Sequence, residues 1–337
     1  MRTSTLASST TQLYQQHSSR RESASASATR LTKRTTRRTF KTCLAASVSL
    51  DESHDNGGDA SSYYPRTWSN PGGTVVDTVV EGQVYACARP FVWNGIDVGG
   101  RMTLIRMSAR SDEGQGDAWW VHSPIDLDAT TKKAVDALTG GKVAYVTSPN
   151  YEHVKYAAQW KSAYPTCTLC GCPGLKAKHP EIPYDVDLGI DGMPKAWEGE
   201  FEMEWFDCER VGREAFFNEV LFYHKPSGAL CVTDLFWSYP EGDEVRVEVG
   251  HVGSKGESSK MESVPIPNGT KLWKFLMDVV YKPVYKRIMV SDRVRYEASA
   301  RRVVDATMWA WDVLVPCHGL VMRGDTARRA LCAHLLD

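Results

Sequence analysis

The chain has 337 residues, 42% hydrophobic and 24% charged, enough to bury a substantial core in one large domain or two small ones. Its formal charge of −1 hides a split: residues 1–50 carry nine Lys/Arg against one acid, so that segment is +8 and the remainder −9. An acidic body without a basic stripe argues against a nucleic-acid partner, whose affinity rests on neutralising phosphates, and nine cysteines in a chain without a secretory h-region argue for reduced thiols.

Residues 1–50 are crowded with Ser, Thr and Ala, the composition of an organelle transit peptide, with processing expected near TCLAAS, 42–47. A chloroplast address is favoured over a mitochondrial one, and a disordered arm is the other reading. The Gly-, Ser-, Asp- and Pro-rich stretch 51–80 reads as linker, which leaves 81–337 as the folded body. No window approaches a transmembrane helix in length, so no membrane span is expected.

Along the body, strands and helices alternate. MTLIRM (102–107) and AWWVHS (118–123) read as a strand pair. Asp128 can cap a helix that Gly140 and Gly141 stop. KVAYVT is a continuous apolar run of the kind found in a strand covered on both faces. It feeds TSPNYEHVKYAAQW (147–160), which opens a helix ending at Pro165. EVLFYH and ALCVTD, joined by KPSG, signal a hairpin, and 239–267 reads as a polar insertion containing a short strand pair. A helix from about Thr270, another presenting Tyr296, Ala300 and Val303, the run WDVLVP, and a last helix capped by Asp325 complete a mixed α/β class.

Three apolar runs end in cation-binding groups: KVAYVT in Glu152 and His153, ALCVT in Asp234, and DVLVP in His318. Loops beyond the carboxyl ends of strands converge on one crevice in layered α/β folds, so two imidazoles and two carboxylates at such ends form a coherent metal set. Nitrogen and hard oxygen donors suit Zn(II), Fe(II) or Mn(II) alike. Taken singly, each residue has a plainer reading. Asn150 is a good N-cap, Glu152 suits a first helical turn, and His318 and Asp234 can satisfy backbone groups in turns.

RPFVWNGIDVGGRMTLIRM, WWVHSPIDL, SPNYEHVKYAAQW, PGL (173–175), NEVLFYHKPSGALCVTDLFW and LVPCHG together resemble the metallo-β-lactamase-like fold, most closely its domain-of-unknown-function family 4336. The resemblance runs from about residue 89 to the C-terminus and implies an αββα sandwich of two mixed sheets with outer helices. It also implies a metal motif, His-x-His-x-Asp-His followed by a His, a bridging Asp and a final His. Here Ser148 and Asn150 fall where the first two His belong, Glu152 replaces Asp, and His153 matches. REAFFNEV lacks the later His, whereas Asp234 and His318 match. One metal position is thereby lost, and the other retains Glu152, His153, Asp234 and His318.

The expected function is a mononuclear metallohydrolase of a small ester, thioester, amide or lactone. In it Asp234 ligates or orients water, and His122 is a catalytic candidate lining the crevice, unless it is a core residue. The alternative is a non-catalytic descendant that binds a small molecule or protein. Trp237 is expected as a pocket wall. Cys167, Cys170 and Cys172, with Cys208 as a fourth partner, form a weak rival metal or redox set, because strand alternation puts Cys167 on the face opposite the other two.

Overall fold

Apolar runs such as AWWVH (118–122), ALCV (229–232) and VLVP (313–316) become central strands buried on both faces. The structure, a computed structural model, describes residue 64 and residues 66–108, 118–209, 215–249, 260–290 and 292–336, within the unit Gly57–Asp337. The expected transit peptide and most of the expected linker lie outside the described residues. The linker's end is shorter than expected: Trp68 and Val75 are buried, and β1 (Asp77–Val80) pairs with β2 (Val84–Arg89).

A small hairpin follows, β3 (Val92–Trp93) with β4 (Ile96–Asp97). β5 (Gly100–Met107) and β6 (Ala118–His122) are antiparallel neighbours, as the sequence predicts. Helix α1 (Ala129–Thr139) is capped by Asp128, whose Oδ1 accepts from the Thr131 amide at 2.6 Å, and stops at left-handed Gly140. β7 (Val143–Ser148), α2 (Ala157–Ala163), β8 (Thr168–Gly171), α3 (Leu175–Lys178) and β9 (Val186–Asp187) complete the first half. They close a seven-stranded sheet ordered β1-β2-β5-β6-β7-β8-β9, in which β6 to β9 run parallel.

The second sheet, ordered β10-β11-β12-β15-β16, uses β10 (Phe201–Glu209), β11 (Ala215–His224), β12 (Ala229–Val232), β15 (Val313–Pro316) and β16 (Met322–Arg323). β12 and β15 are parallel and buried throughout. Between them in sequence lie the separate ladder of β13 (Glu244–Val249) and β14 (Lys260–Pro265), helix α4 (Asn268–Leu276) and helix α5 (Arg293–Val304). α4 continues through two wide, π-type turns to Met289 around Pro283, whose missing N–H disturbs the i→i−4 ladder. The last helix, α6 (Gly324–Leu336), starts one residue before Asp325, which therefore sits in its first turn.

The sheets face each other across a shared core. Trp120 meets Phe201 at 4.9 Å and Phe222 at 5.1 Å between ring centroids, and burying each such ring contributes about 2–3 kcal/mol. By alternation, Val121, Val146 and Leu169 face the other way, on the side covered by α1 and α2. Behind the second sheet, Tyr296, Ala300 and Val303 of α5 and Ala327 and Leu331 of α6 pack on Phe206, Leu221 and Leu314. The layering is helix, sheet, sheet, helix, the αββα sandwich that the resemblance implies. The ends of parallel strands β6, β7, β12 and β15 lead to the residues described next.

Candidate metal centre

Three of the parallel strands, β7, β12 and β15, hand the chain to short loops that carry the candidate ligands. Residues 149–153 follow β7, 233–234 follow β12 and 317–318 follow β15. The ligand atoms of His153, Asp234 and His318 all lie within 4.8 Å of one another. Asp234 sits between the imidazoles: its Oδ2 is 3.2 Å from His153 Nε2 and its Oδ1 is 3.1 Å from His318 Nε2. Among the described residues no other His, Cys, Asp or Glu group clusters this way.

The imidazoles are held from behind. His318 Nδ1 donates to the Gly99 carbonyl at 2.7 Å, which leaves Nε2 facing the carboxylate. His153 Nδ1 is 2.6 Å from Ser123 Oγ. Ser123 takes a positive φ of 54°, a costly backbone for a non-glycine residue, just where the chain leaves β6. Such outer hydrogen bonds fix tautomer and ring orientation in metal-ligating histidines. Two nitrogens and one carboxylate, with separations near 3 Å from the central group, fit a divalent ion with positions left open.

Asn150 joins the two loops. Its Oδ1 accepts the amides of Glu152 at 3.1 Å and His153 at 2.9 Å, the capping role the sequence suggests, although the regular helix begins only at Ala157. Its Nδ2 donates to Asp234 Oδ2 at 2.6 Å and to Thr233 Oγ1 at 3.0 Å. Beneath it lies Glu219, which the sequence reading passed over. Its carboxylate accepts the amides of Thr233 at 2.7 Å and of Asp234 and Leu235 at 2.9 Å each. Only an acid inside the largely apolar run AFFNEVLF could have signalled it.

These contacts set the charges. Burial and the neighbouring Asp234 raise the Glu219 carboxyl to about 7. Burial alone would raise Asp234 too, but the His153 charge and hydrogen bonds from both imidazoles hold it well below the usual carboxylate range. His153 moves the opposite way: burial would lower it, and the Asp234 carboxylate more than offsets that.

Two expected site residues fall elsewhere. Glu152 is outside the mutual cluster, at the rim of the adjoining cavity; part of its surface is exposed, and partial desolvation of its carboxyl, with the Asp234 charge, raises it. His122 does not line the crevice. Register pairs it with Thr103 and Thr147 on the inner sheet face, so its ring lies fully buried against Trp120 and Phe222, and the chain turns toward the site one residue later, at Ser123. Burial and the His153 charge push His122 down to about 3, so it is neutral.

The cavity beside the triad holds about 270 Å³. Its walls are Phe91, Trp93, Trp237, Tyr239 and Trp273, with Arg101 and Lys155 as cations. Trp237 is thus a wall residue, anchored by an Nε1 hydrogen bond to Asp278 at 2.9 Å. Cys167, Cys170 and Cys172 are buried in the main hydrophobic core, where burial raises their thiols, Cys167 to about 11. The Cys208 side chain lies outside the described residues.

No protein-family model matches the chain. No curated protein matches it in sequence. Among solved structures it is similar to the metallo-β-lactamase DIM-1 exposed to ceftazidime, at 13% identity over 77% of this chain and 93% of that one, TM-score 0.42. It is also similar to a peroxy diiron species of the chemotaxis sensor ODP, at 13% identity over 78% and 95%, TM-score 0.45. The mono-zinc form of the metallo-β-lactamase FIM-1 from Pseudomonas aeruginosa matches at 9% identity over 77% and 93%, TM-score 0.43.

Proposed function

We propose that the protein is a metal-dependent hydrolase of a small ester, thioester, amide or lactone, with one divalent ion held by His153, Asp234 and His318. The triad itself carries this reading: two imidazoles and a carboxylate converge at the wall of an apolar cavity, each held by a further hydrogen bond. Zn(II), Fe(II) and Mn(II) all accept such donors, and Glu152 at the rim is the candidate for a fourth. A divalent ion held by this set would supply Lewis acidity toward a carbonyl oxygen or a water.

The chain's own residues do the rest. Ser123 and the Gly99 carbonyl aim the imidazoles, and Asn150 fixes Asp234. Arg101 offers positive charge to an oxygen that gains it, and Trp237 and Trp273 seat the apolar part of the substrate. A second reading, a non-catalytic binding protein, draws on one observation. Asn150, His153 and His318 already give Asp234 three partners without an ion.

Elemental analysis of the purified protein after exposure to each ion separates the two. The hydrolase reading expects about one tightly held ion per chain, lost in His318→Ala and Asp234→Ala. Folded, metal-free protein under every condition abandons it. The order and spacing of the quoted segments support assignment to domain-of-unknown-function family 4336. Composition supports a chloroplast address for residues 1–50, with the mitochondrion as alternative, and imaging a fluorescent fusion of those residues tests it.

A further inference from the structure

Helix α4 and its continuation to Met289 carry apolar residues on the outward as well as the inward side. Thr270, Tyr285 and Met289 face inward and are buried, as an amphipathic helix requires. The outward face repeats the pattern one step round: Leu272, Phe275, Val279, Val280 and Ile288 are each 51–57% exposed. A soluble protein ordinarily puts charge there.

Three further observations say what covers this face. Residues 268–289 carry five Lys/Arg against one acid, a charge of +4, whereas the rest of the chain after residue 50 sums to −13. The β3–β4 hairpin extends the patch with Val92, 59% exposed, and Trp93, whose ring lies 5.0 Å from that of Trp273. Trp93, Trp273 and Met277 also line the cavity, so the apolar patch runs to the cavity's mouth. A helix bearing Leu, Phe and Val on one side, with cations along it and Trp at its margin, has the composition of a surface that lies in a lipid interface. Lys271 and Lys274 are paired with Asp243 and Glu241, but self-pairing would still set Lys282, Lys286 and Arg287 against their copies, which disfavours a second copy.

We propose that helix 268–289 and the β3–β4 hairpin dock on an anionic lipid bilayer, with the cavity opening toward the membrane so that an amphiphile can pass between them. The docking stands apart from the metal reading, and its test needs no metal.

The test is flotation of the full-length protein, in chelator, with vesicles of phosphatidylcholine alone and with about one-third phosphatidylglycerol. Wild type, Val279→Glu/Val280→Glu and Arg287→Glu are compared; all three carry the same basic residues 1–50, so differences report the helix. Both substituted sites are exposed, so the fold is expected to survive, as circular dichroism checks. The proposal expects wild type to float with the anionic vesicles, the double variant to bind at least about tenfold more weakly, and Arg287→Glu to lose binding mainly at low salt. Equal binding by wild type and the double variant overturns it, as does absence of wild-type binding. Light scattering showing a wild-type dimer that the double variant abolishes, without vesicle binding, assigns the face to a second copy and overturns it as well.

Discussion

Glu219 shows how a residue that is not a ligand can decide where a ligand stands. Its two oxygens accept three consecutive amides, Thr233 to Leu235, and that fan fixes the turn from which Asp234 projects. Glutamine offers one acceptor oxygen and sets an NH₂ group against an amide that needs an acceptor. Glu219→Gln is therefore expected to destabilise the fold by about 2–3 kcal/mol, the cost of an unsatisfied buried donor. Chemical denaturation reads this directly, and a cost under about 0.5 kcal/mol removes the bracing role. At this scale the sequence was unevenly legible. His153, Asp234 and His318 stand out because each follows an apolar run. Glu219 and Ser123 do not, because their meaning lies in contacts with backbone amides and an imidazole that only the folded chain brings near. His122 misled for a related reason: strand parity decides whether such a side chain enters the cavity or the core, and it chose the core.

At the scale of elements, the site depends on two loops stitched together. The Ser238 amide donates to the His318 carbonyl at 3.1 Å, and the Leu320 amide donates to the Ser238 carbonyl at 3.0 Å. The stitch requires Gly319. Its φ is +96°, and a Cβ there would lie 2.3 Å from both the carbonyl carbon and oxygen of Ser238. Backbone cannot give way as a side chain would, so Gly319→Ala must push the 318–320 loop off the 234–239 loop and carry His318 with it. The expected result is metal affinity lowered about tenfold or more, beside a folded protein whose melting temperature falls by a few degrees. Unchanged metal affinity in a folded variant would show that His318 is placed independently of this stitch. The strand pairs were legible from alternation, and the capped helix after Asp128 from its turn chemistry. The stitched loops were not, since a glycine after a histidine reads as an ordinary turn until the 234–239 loop is brought within hydrogen-bond distance of it.

For the whole molecule, the two-sheet layering was legible because the parallel strands are continuous apolar runs and the outer helices show one buried face. What the composition concealed is where polar groups enter that core. Residues 66–80 read as linker because they continue the Gly-, Ser-, Asp- and Pro-rich stretch that starts at 51, which gives no sign that Trp68 and Val75 are buried. His122 makes the consequence measurable. Its imidazole is fully buried, its Nε2 has no hydrogen-bond partner among the described residues, and burial with the His153 charge pushes it from 6.5 to about 3. Between those two values the unfolded chain takes up a proton that the folded chain refuses. Stability associated with this residue is therefore complete above pH 6.5 and falls as pH drops, by about 1.4 kcal/mol per unit. From pH 6.5 to 5, before most carboxylates titrate, wild type should lose about 2 kcal/mol more than His122→Phe, because the other histidines contribute equally to both. Urea denaturation of the two proteins at half-unit intervals measures the difference in slope. Parallel stability curves would mean that the folded core admits a charged imidazole at His122, and with it water between the two sheets.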